Sequence, residues 1–200
     1  MKTLLKTLAG IAGAAILLSL TGCAHPIVIT PEKQAAQAGA DKPAKIDKTV
    51  AYYISAEDRN REVVTPGGGG DQVRYQPYRD LEVAYYMTLA DRYNKVVSLT
   101  TPDDAKVLDE KQVSYIFKPT LTTDSSSDSM LTWPPTRFSV KLDTTAIDRS
   151  GKSVWVNQVT GQGEAEFDEF KHNFNLSAQR ASTDAMRKFS QQLTDEAVPQ

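Results

Sequence analysis

The chain has 200 residues, with 23 Lys and Arg against 25 Asp and Glu, and a formal net charge of −2. This near balance of charge argues against a nucleic-acid partner, because surfaces that bind nucleic acid are strongly basic. A hydrophobic fraction of 40% suits a globular body. The only cysteine, Cys23, excludes an intramolecular disulfide and a cluster of thiolate metal ligands.

The N-terminus has the pattern of a secretory signal peptide. Lys2 and Lys6 form a short basic region, and an apolar run follows from Leu8 to Leu18. A run of this length is too short for a permanent transmembrane helix. Residues 1–22 are therefore predicted to be removed as a signal peptide. The mature chain would then keep 21 basic and 25 acidic residues, a net charge of −4.

The signal peptide ends in Leu20-Thr21-Gly22-Cys23, which resembles the lipobox of bacterial lipoproteins. The resemblance implies cleavage before Cys23, a diacylglyceryl group on its sulfur and an acyl group on its new amine. Several acyl chains on one residue give stable membrane anchoring. Ala24 stands where inner-membrane lipoproteins of enteric bacteria have Asp, which implies sorting to the outer membrane, facing the periplasm. The alternative is an ordinary signal peptide with an accidental cysteine.

Residues 23–48 are predicted to form a lipidated N-terminus and a flexible stalk. The stretch after Cys23 is rich in Ala, Gln, Lys and Pro and has few apolar anchors, so it buries too little surface to order itself. Such a stalk would let the folded body move away from the membrane surface. The body is predicted to be a single domain over residues 49–195.

The spacing of apolar residues in the body predicts both strands and helices. Three helices are predicted, two of them with the N-caps Asp80 and Thr101 and the last over residues 175–193. Alternation of apolar and polar residues predicts five strands, over residues 49–55, 95–99, 112–122, 136–148 and 152–167.

This order of elements predicts an α+β fold. We expect a two-layer sandwich in which two main helices cover one face of a mixed sheet of about five strands, the last three forming an antiparallel meander. The layout resembles small envelope lipoproteins of the YajG type, accessory lipoproteins of transport systems and the small α/β domains of cell-wall synthase activators. The similarity lies in element order alone, so no residue role carries over from it.

A catalytic site is not expected, although two groups of residues have the composition of one. His172, with Asp168 or Glu169 behind it and a serine as nucleophile, has the composition of a hydrolase site. Glu164, Glu166 and Asp168 alternate and would share one strand face, where carboxylates serve glycoside hydrolysis or bind Ca²⁺. A polar loop and a solvated strand face explain both patterns. We expect no catalytic residue, no metal and no cofactor.

The glycine run Gly67–Gly70 is predicted to be a mobile loop. It lacks the Gly-Lys-Ser/Thr ending of a phosphate-binding loop and does not open a helix, so no nucleotide is expected. Four consecutive glycines have a large backbone entropy to lose on ordering. The serine-rich residues 124–128 are likewise predicted to be a flexible loop.

Two stretches are candidates for binding a partner. The first interleaves Arg74, Tyr75, Tyr78 and Arg79, and Arg and Tyr are enriched at interface hot spots. Its alternative is a pair of half-buried tyrosines with solvated arginines. The second contains Met130, Leu131 and Trp133 before two prolines. It is either a tip packed under a helix or an exposed patch for a partner or a lipid chain.

These features predict a non-enzymatic lipoprotein, tethered to the membrane by its N-terminal lipid, that serves a protein complex of the cell envelope as a binding or accessory module. A first alternative is a periplasmic hydrolase that uses the acidic strand face with His172. A second is a carrier of lipid or another amphiphile in a groove between sheet and helices, with Trp133 at its mouth.

Overall fold

A computed structural model describes residues 24–32 and 44–195. The predicted signal peptide, Cys23 and residues 33–43 lie outside the described residues. Within the described ranges the chain forms five helices and two mixed sheets, with about 31% helix and 40% strand. The predicted α+β class is confirmed.

The described elements alternate along the chain in an order close to the predicted one. The helices are α1 (Ala56–Asn60), α2 (Pro77–Arg92), α3 (Ala105–Glu110), α4 (Phe167–Phe170) and α5 (Leu176–Asp195). The strands are β1 (Ala24–Pro26), β2 (Ile46–Tyr53), β3 (Val63–Pro66), β4 (Gln72–Tyr75), β5 (Tyr93–Leu99), β6 (Val113–Ser126), β7 (Arg137–Asp148) and β8 (Ser153–Glu164).

The main sheet has five strands in the order β5-β2-β6-β7-β8. Strands β5, β2 and β6 are parallel, and β6, β7 and β8 form the predicted antiparallel meander. A tight turn joins β7 to β8, with Gly151 at φ +83°, a conformation that favours glycine. Strand β6 continues to Ser126, so the prediction of a flexible loop at residues 124–128 is wrong for residues 124–126.

A second sheet, which the apolar pattern did not predict, has the order β1-β4-β3. Strand β1 runs parallel to β4, and β3 runs antiparallel to it. The chain after β1 is part of the core, because Ile27 and Ile29 are 5% and 0% exposed. The predicted flexible stalk is therefore wrong for residues 24–32, where these two isoleucines supply the apolar anchors that the average composition of the segment hides.

The first residues of helices α2 and α3 differ from the prediction. Helix α2 begins at Pro77 after Gln76, so Asp80 is inside the helix and is not its N-cap. Proline is favoured at the first position of a helix because its missing N–H has no partner there in any case. Helix α3 begins after Asp104, whose side chain accepts a hydrogen bond from Val107 N, and Thr101 is not the cap.

The two long helices pack side by side on one face of the main sheet, as predicted. Helix α5 lies directly on β8, where a Cβ on Gly161 would overlap the backbone of Ala181 and Ala185. Contacts this close require glycine on the strand and small residues on the helix. Helix α2 packs against α5 through stacked rings of Tyr85 and Phe189, with centroids 5.1 Å apart.

The opposite face of the sheet has a smaller apolar cluster under α3. Its members are Ala51, Leu99, Leu108, Val113 and Ile116. Among the described helices, none has both the length and the apolar character needed to cross a membrane.

Candidate functional site

The glycine run and the second candidate stretch lie against each other. Gly68 N donates to the carbonyl of Trp133 at 2.9 Å, and Gly69 N donates to the carbonyl of Ser129 at 3.1 Å. A Cβ on Gly68 would overlap the carbonyl oxygen of Thr132. The glycines therefore permit a close approach of two backbones. The prediction of a free mobile loop is wrong, because these bonds tie the run to the 129–133 loop.

The N-terminal segment completes this region. The ring of His25 stacks on Trp133 with centroids 4.4 Å apart and planes 18° from parallel. The His25 Nε2 atom lies 3.5 Å from Asp71 Oδ2, and Trp133 also contacts the Phe174 ring at 5.1 Å. Four separate parts of the sequence thus meet around one tryptophan.

These residues form an open cleft of about 470 Å³. Its lining includes both histidines of the chain, and the carboxamide of Asn175 accepts a hydrogen bond from Val28 N at 3.1 Å. The contact joins the N-terminal segment to the turn before α5. The lining residues are His25, Pro26, Trp133, His172, Asn173, Phe174 and Asn175.

The loop above the cleft ends in two exposed apolar side chains. Met130 is 88% exposed and Leu131 is 95% exposed. We call these two residues the apolar tip. Packing under a helix is therefore wrong for Met130 and Leu131, which are exposed, and a binding role for them stays a prediction. Trp133 is only partly exposed, because His25 and Phe174 cover it.

The first candidate stretch divides into core and surface residues. Tyr75 and Tyr78 are each 3% exposed, so neither offers its ring to a partner. The Tyr75 hydroxyl donates to Thr123 Oγ1 at 2.8 Å, and burial raises the pKa of Tyr75. Arg74 and Arg79 are exposed. The interpretation of all four residues as a binding surface is wrong for the two tyrosines, because strand β4 and helix α2 turn them into the core.

Helix α2 has a second apolar side that the sequence analysis missed. Val83, Tyr86 and Met87 are 66%, 41% and 59% exposed, and they follow Arg79 at helical spacing. We call Arg79, Val83, Tyr86 and Met87 the outer face of α2. The sequence of this helix could have indicated such a face, because it has apolar residues on all sides. A core on one side of a helix buries only some of them.

The acidic residues near the end of β8 have structural partners. The strand ends at Glu164, and Glu166 caps α4, where its backbone N–H donates to the Glu169 carboxylate at 3.0 Å. The predicted single strand face for Glu164, Glu166 and Asp168 is therefore wrong. Arg180 donates to both oxygens of Glu169, and this contact lowers the pKa of Glu169 to about 2.

The two carboxylates named for the alternative hydrolase site at His172 are each paired with a cation. His172 is exposed in the turn after α4, where Asp168 pairs with Lys171 at 2.9 Å and Glu169 with Arg180 at 2.7 Å. Among the described residues, no group of three His, Cys, Asp or Glu has the geometry to hold a metal ion.

The space between the main sheet and the two long helices is filled by side chains. One cavity there, between Tyr78, Tyr85 and Met186, has a volume of about 10 Å³, room for at most one water molecule. This cavity is too small for a lipid chain, and Trp133 lines the surface cleft instead.

No family model matches the chain, and no curated protein matches it. Solved structures are similar to it in fold. A minor lipoprotein from Acinetobacter baumannii is 11% identical with a TM-score of 0.44, covering 76% of this chain and 93% of that chain.

Two further structures have similar values. The PelC dodecamer from Paraburkholderia phytofirmans is 15% identical with a TM-score of 0.43, covering 74% of this chain and 91% of that chain. A protein from Xanthomonas campestris is 11% identical with a TM-score of 0.44, covering 85% of this chain and 94% of that chain. At these identities and scores, neither family nor function passes from those proteins to this chain.

Proposed function

We propose that this protein is a non-enzymatic lipoprotein of the bacterial cell envelope, anchored in the outer membrane by lipid on Cys23, where it serves a protein complex as an accessory module. The observation that carries the proposal is the position of Ala24. This residue follows the lipobox cysteine and is already the first residue of β1 in the folded body. The anchor and the fold are thus consecutive in the chain.

The N-terminal segment does not act as a long flexible stalk in this proposal. Strand β1 pairs with β4, and Ile29 N donates to Asp80 Oδ2 at 3.1 Å, so residues 24–29 belong to the body. The Ala-, Gln- and Lys-rich residues 33–43 come after this segment in the chain. They do not separate the lipid from the body, which would be seated at the membrane surface.

The outer face of α2 is the proposed site for a protein partner. Tyr and Arg are enriched at interface hot spots, and exposed Val and Met add apolar area that gains from being covered. Arg79 adds a charge that can pair with a carboxylate. This surface takes the place of the tyrosines predicted from the sequence.

A binding role is favoured over hydrolysis because two candidate carboxylates, Asp168 and Glu169, are paired with cations, and a third, Glu166, is the N-cap of helix α4. A general base must have a free carboxylate or imidazole in reach of its proton donor. Glu169 is held by Arg180 and Asp168 by Lys171. We therefore expect Glu166→Gln and His172→Ala to leave the phenotype of a deletion strain fully complemented, whereas a hydrolase would lose it.

The mass of the N-terminal peptide tests the anchor. The protein isolated from its native host should begin at Cys23 and carry acyl groups that account for three fatty acids, in line with the lipobox resemblance. Cys23→Ser is the matched control, since it removes the sulfur and keeps the size of the residue. A wild-type chain that begins elsewhere and carries no fatty acid would refute the proposed function.

Crosslinking tests the partner surface. A photoreactive residue at position 87 in the native envelope should capture a specific protein. The control position is Gln158, which is also exposed but lies on strand β8 and not on the outer face of α2. Equal crosslinking from both positions, or none from position 87, would contradict a binding role for the outer face of α2.

A further inference from the structure

We propose that the apolar tip inserts into the membrane beside the lipid on Cys23 and fixes the orientation of the body on the bilayer. The ligand class is the acyl-chain boundary of a phospholipid bilayer. The inference deepens the proposed function and rests on it, because the lipid on Cys23 brings the bilayer to this end of the molecule.

The first argument is the exposure and chemistry of the tip. Met130 and Leu131 are the most exposed of the large apolar side chains in the described residues, at 88% and 95%. Two polar groups beside them have an internal partner, since Leu131 N donates to Ser129 Oγ and Thr132 Oγ1 donates to the same oxygen. Such internal hydrogen bonds lower the cost of moving a loop from water towards the hydrocarbon region.

The second argument is that the tip is held in place at both ends. The glycine run receives the loop through the carbonyls of Ser129 and Trp133, which accept from Gly69 N and Gly68 N. A tip fixed in this way loses little conformational entropy when it inserts. The aromatic residues at its base, Trp133 and the 48% exposed Phe174, are types suited to the boundary between lipid and water, where tryptophan in particular is enriched.

The third argument is the position of the lipid attachment. Ala24 pairs with Gln72, the first residue of β4 after the glycine run, so β1 begins at the end of the small sheet where the run lies. The next residue, His25, stacks on Trp133 at the base of the tip. Ala24, the residue after Cys23, and the base of the apolar tip are therefore at the same end of the small sheet, which favours a bilayer over a protein partner for this surface.

The charges around the apolar tip predict the headgroup charge of the bilayer into which it inserts. Asp128 pairs with Arg137 at 2.7 Å, and Asp71 faces His25 at 3.5 Å. Because the Arg137 guanidinium is already paired with a carboxylate, we expect anionic headgroups to gain little from it. Insertion should therefore occur in neutral phosphatidylcholine, driven by apolar burial.

The test places one fluorophore at the tip. Because Cys23 is the only cysteine and its sulfur would carry the lipid, Leu131→Cys supplies the single free thiol of the lipidated protein. The labelled protein is reconstituted in phosphatidylcholine vesicles. Its fluorescence is measured with quenchers placed either on the acyl chains or in the water. Val83→Cys, 66% exposed on α2, is the matched control.

We expect the label at position 131 to be quenched by the acyl-chain quencher and shielded from the aqueous one, and the label at position 83 to behave in the opposite way. Adding Met130→Asp should lower the ratio of inserted to withdrawn tip at least about tenfold and so weaken the acyl-chain quenching, since it replaces one inserted apolar side chain by a charge. All three substitutions are at exposed positions, so we expect the variants to fold.

Water-exposed labels at both positions would overturn the inference, as would a label at position 131 that is shielded in native envelope but not in pure lipid vesicles, which would indicate a protein partner. Failure of the proposed anchor has a separate sign. A wild-type chain whose Cys23 has no lipid would itself react with the thiol reagent, whatever the label at position 131 reports.

Discussion

Ala24 pairs with Gln72 as the first register position of the parallel strands β1 and β4. The pairing leaves no linker between the lipobox cysteine and the folded body. A lipid on Cys23 would thus be attached to the edge of a sheet, and the body would have little freedom to leave the membrane. Under the proposed function, this relationship would bring the lipid on Cys23 and the apolar tip to the same membrane surface.

The bond between Ile29 N and Asp80 Oδ2 should hold the N-terminal segment on the body. Asp80→Ala leaves a largely buried N–H without its acceptor, which costs about 1–2 kcal/mol in the free energy of unfolding. The cost should appear in chemical denaturation, together with faster hydrogen exchange at Ile29.

Asp80→Asn is the control for this bond. It keeps an oxygen that accepts from Ile29 N and removes only the charge, whose burial raises the pKa of Asp80. We expect a smaller loss than for Asp80→Ala. Equal exchange at Ile29 in all three proteins would show that the bond does not hold the segment.

The contact between β8 and α5 depends on glycine. In Gly161→Val the new side chain overlaps the backbone of Ala181 and Ala185, and helix and strand must separate. Overpacking of this kind costs about 2 kcal/mol or more, which a melting curve would detect. Gly151→Asn is the matched control, since its turn is open and Asn tolerates a positive φ. A loss in the control as large as in Gly161→Val would contradict this reason.

The ion pair between Arg180 and Glu169 predicts a pH dependence. The pKa of Glu169 is lowered from 4.5 to about 2 by the hydrogen bonds from Arg180. Because the pKa in the folded state is below that in the unfolded state, the pair stabilises the fold above about pH 4.5 and loses this contribution as the pH falls towards 2. Carboxyl chemical shifts across this range measure it.

Two variants separate this pair from the neighbouring charges. Arg180→Gln should return the pKa of Glu169 towards its usual value. Lys171→Gln should leave it unchanged, because Lys171 pairs with Asp168. A low pKa of Glu169 that persists in Arg180→Gln would exclude Arg180 as its cause.

Ser182 is a place where the protein can be made more stable. Its side chain is 0% exposed in the middle of α5, and its hydroxyl has no hydrogen-bond partner in the described residues. Ser182→Ala removes this buried polar group and gives a better helix former, so we expect a gain of about 1 kcal/mol. Lower stability of this variant would indicate a bound water on the hydroxyl.

The sequence was sufficient for the elements with strong periodicity. The alternation in β7 and the stripe of Ala178, Ala181, Ala185 and Phe189 in α5 predicted which residues are buried, and all four helix residues are in the core. These signals are local, because one residue's burial follows from its neighbours three and four positions away.

The small sheet could not be predicted in the same way. Strands β1, β3 and β4 have three or four residues each, too few for a period to be visible. Their pairing depends on contacts between distant parts of the chain, such as His25 with Trp133. Composition predicted a flexible stalk and a mobile glycine loop. Tertiary hydrogen bonds of Ile29 N and Gly68 N hold both segments on the body instead.

Neutron reflectometry of the lipidated protein on a supported phosphatidylcholine bilayer tests the central claim most directly, because it measures the distance between the body and the membrane. We predict a protein layer in contact with the headgroups, with no layer of water between them. A water layer of roughly 25–30 Å, the mean span of a flexible stalk of about 25 residues, would contradict a body seated on its own anchor.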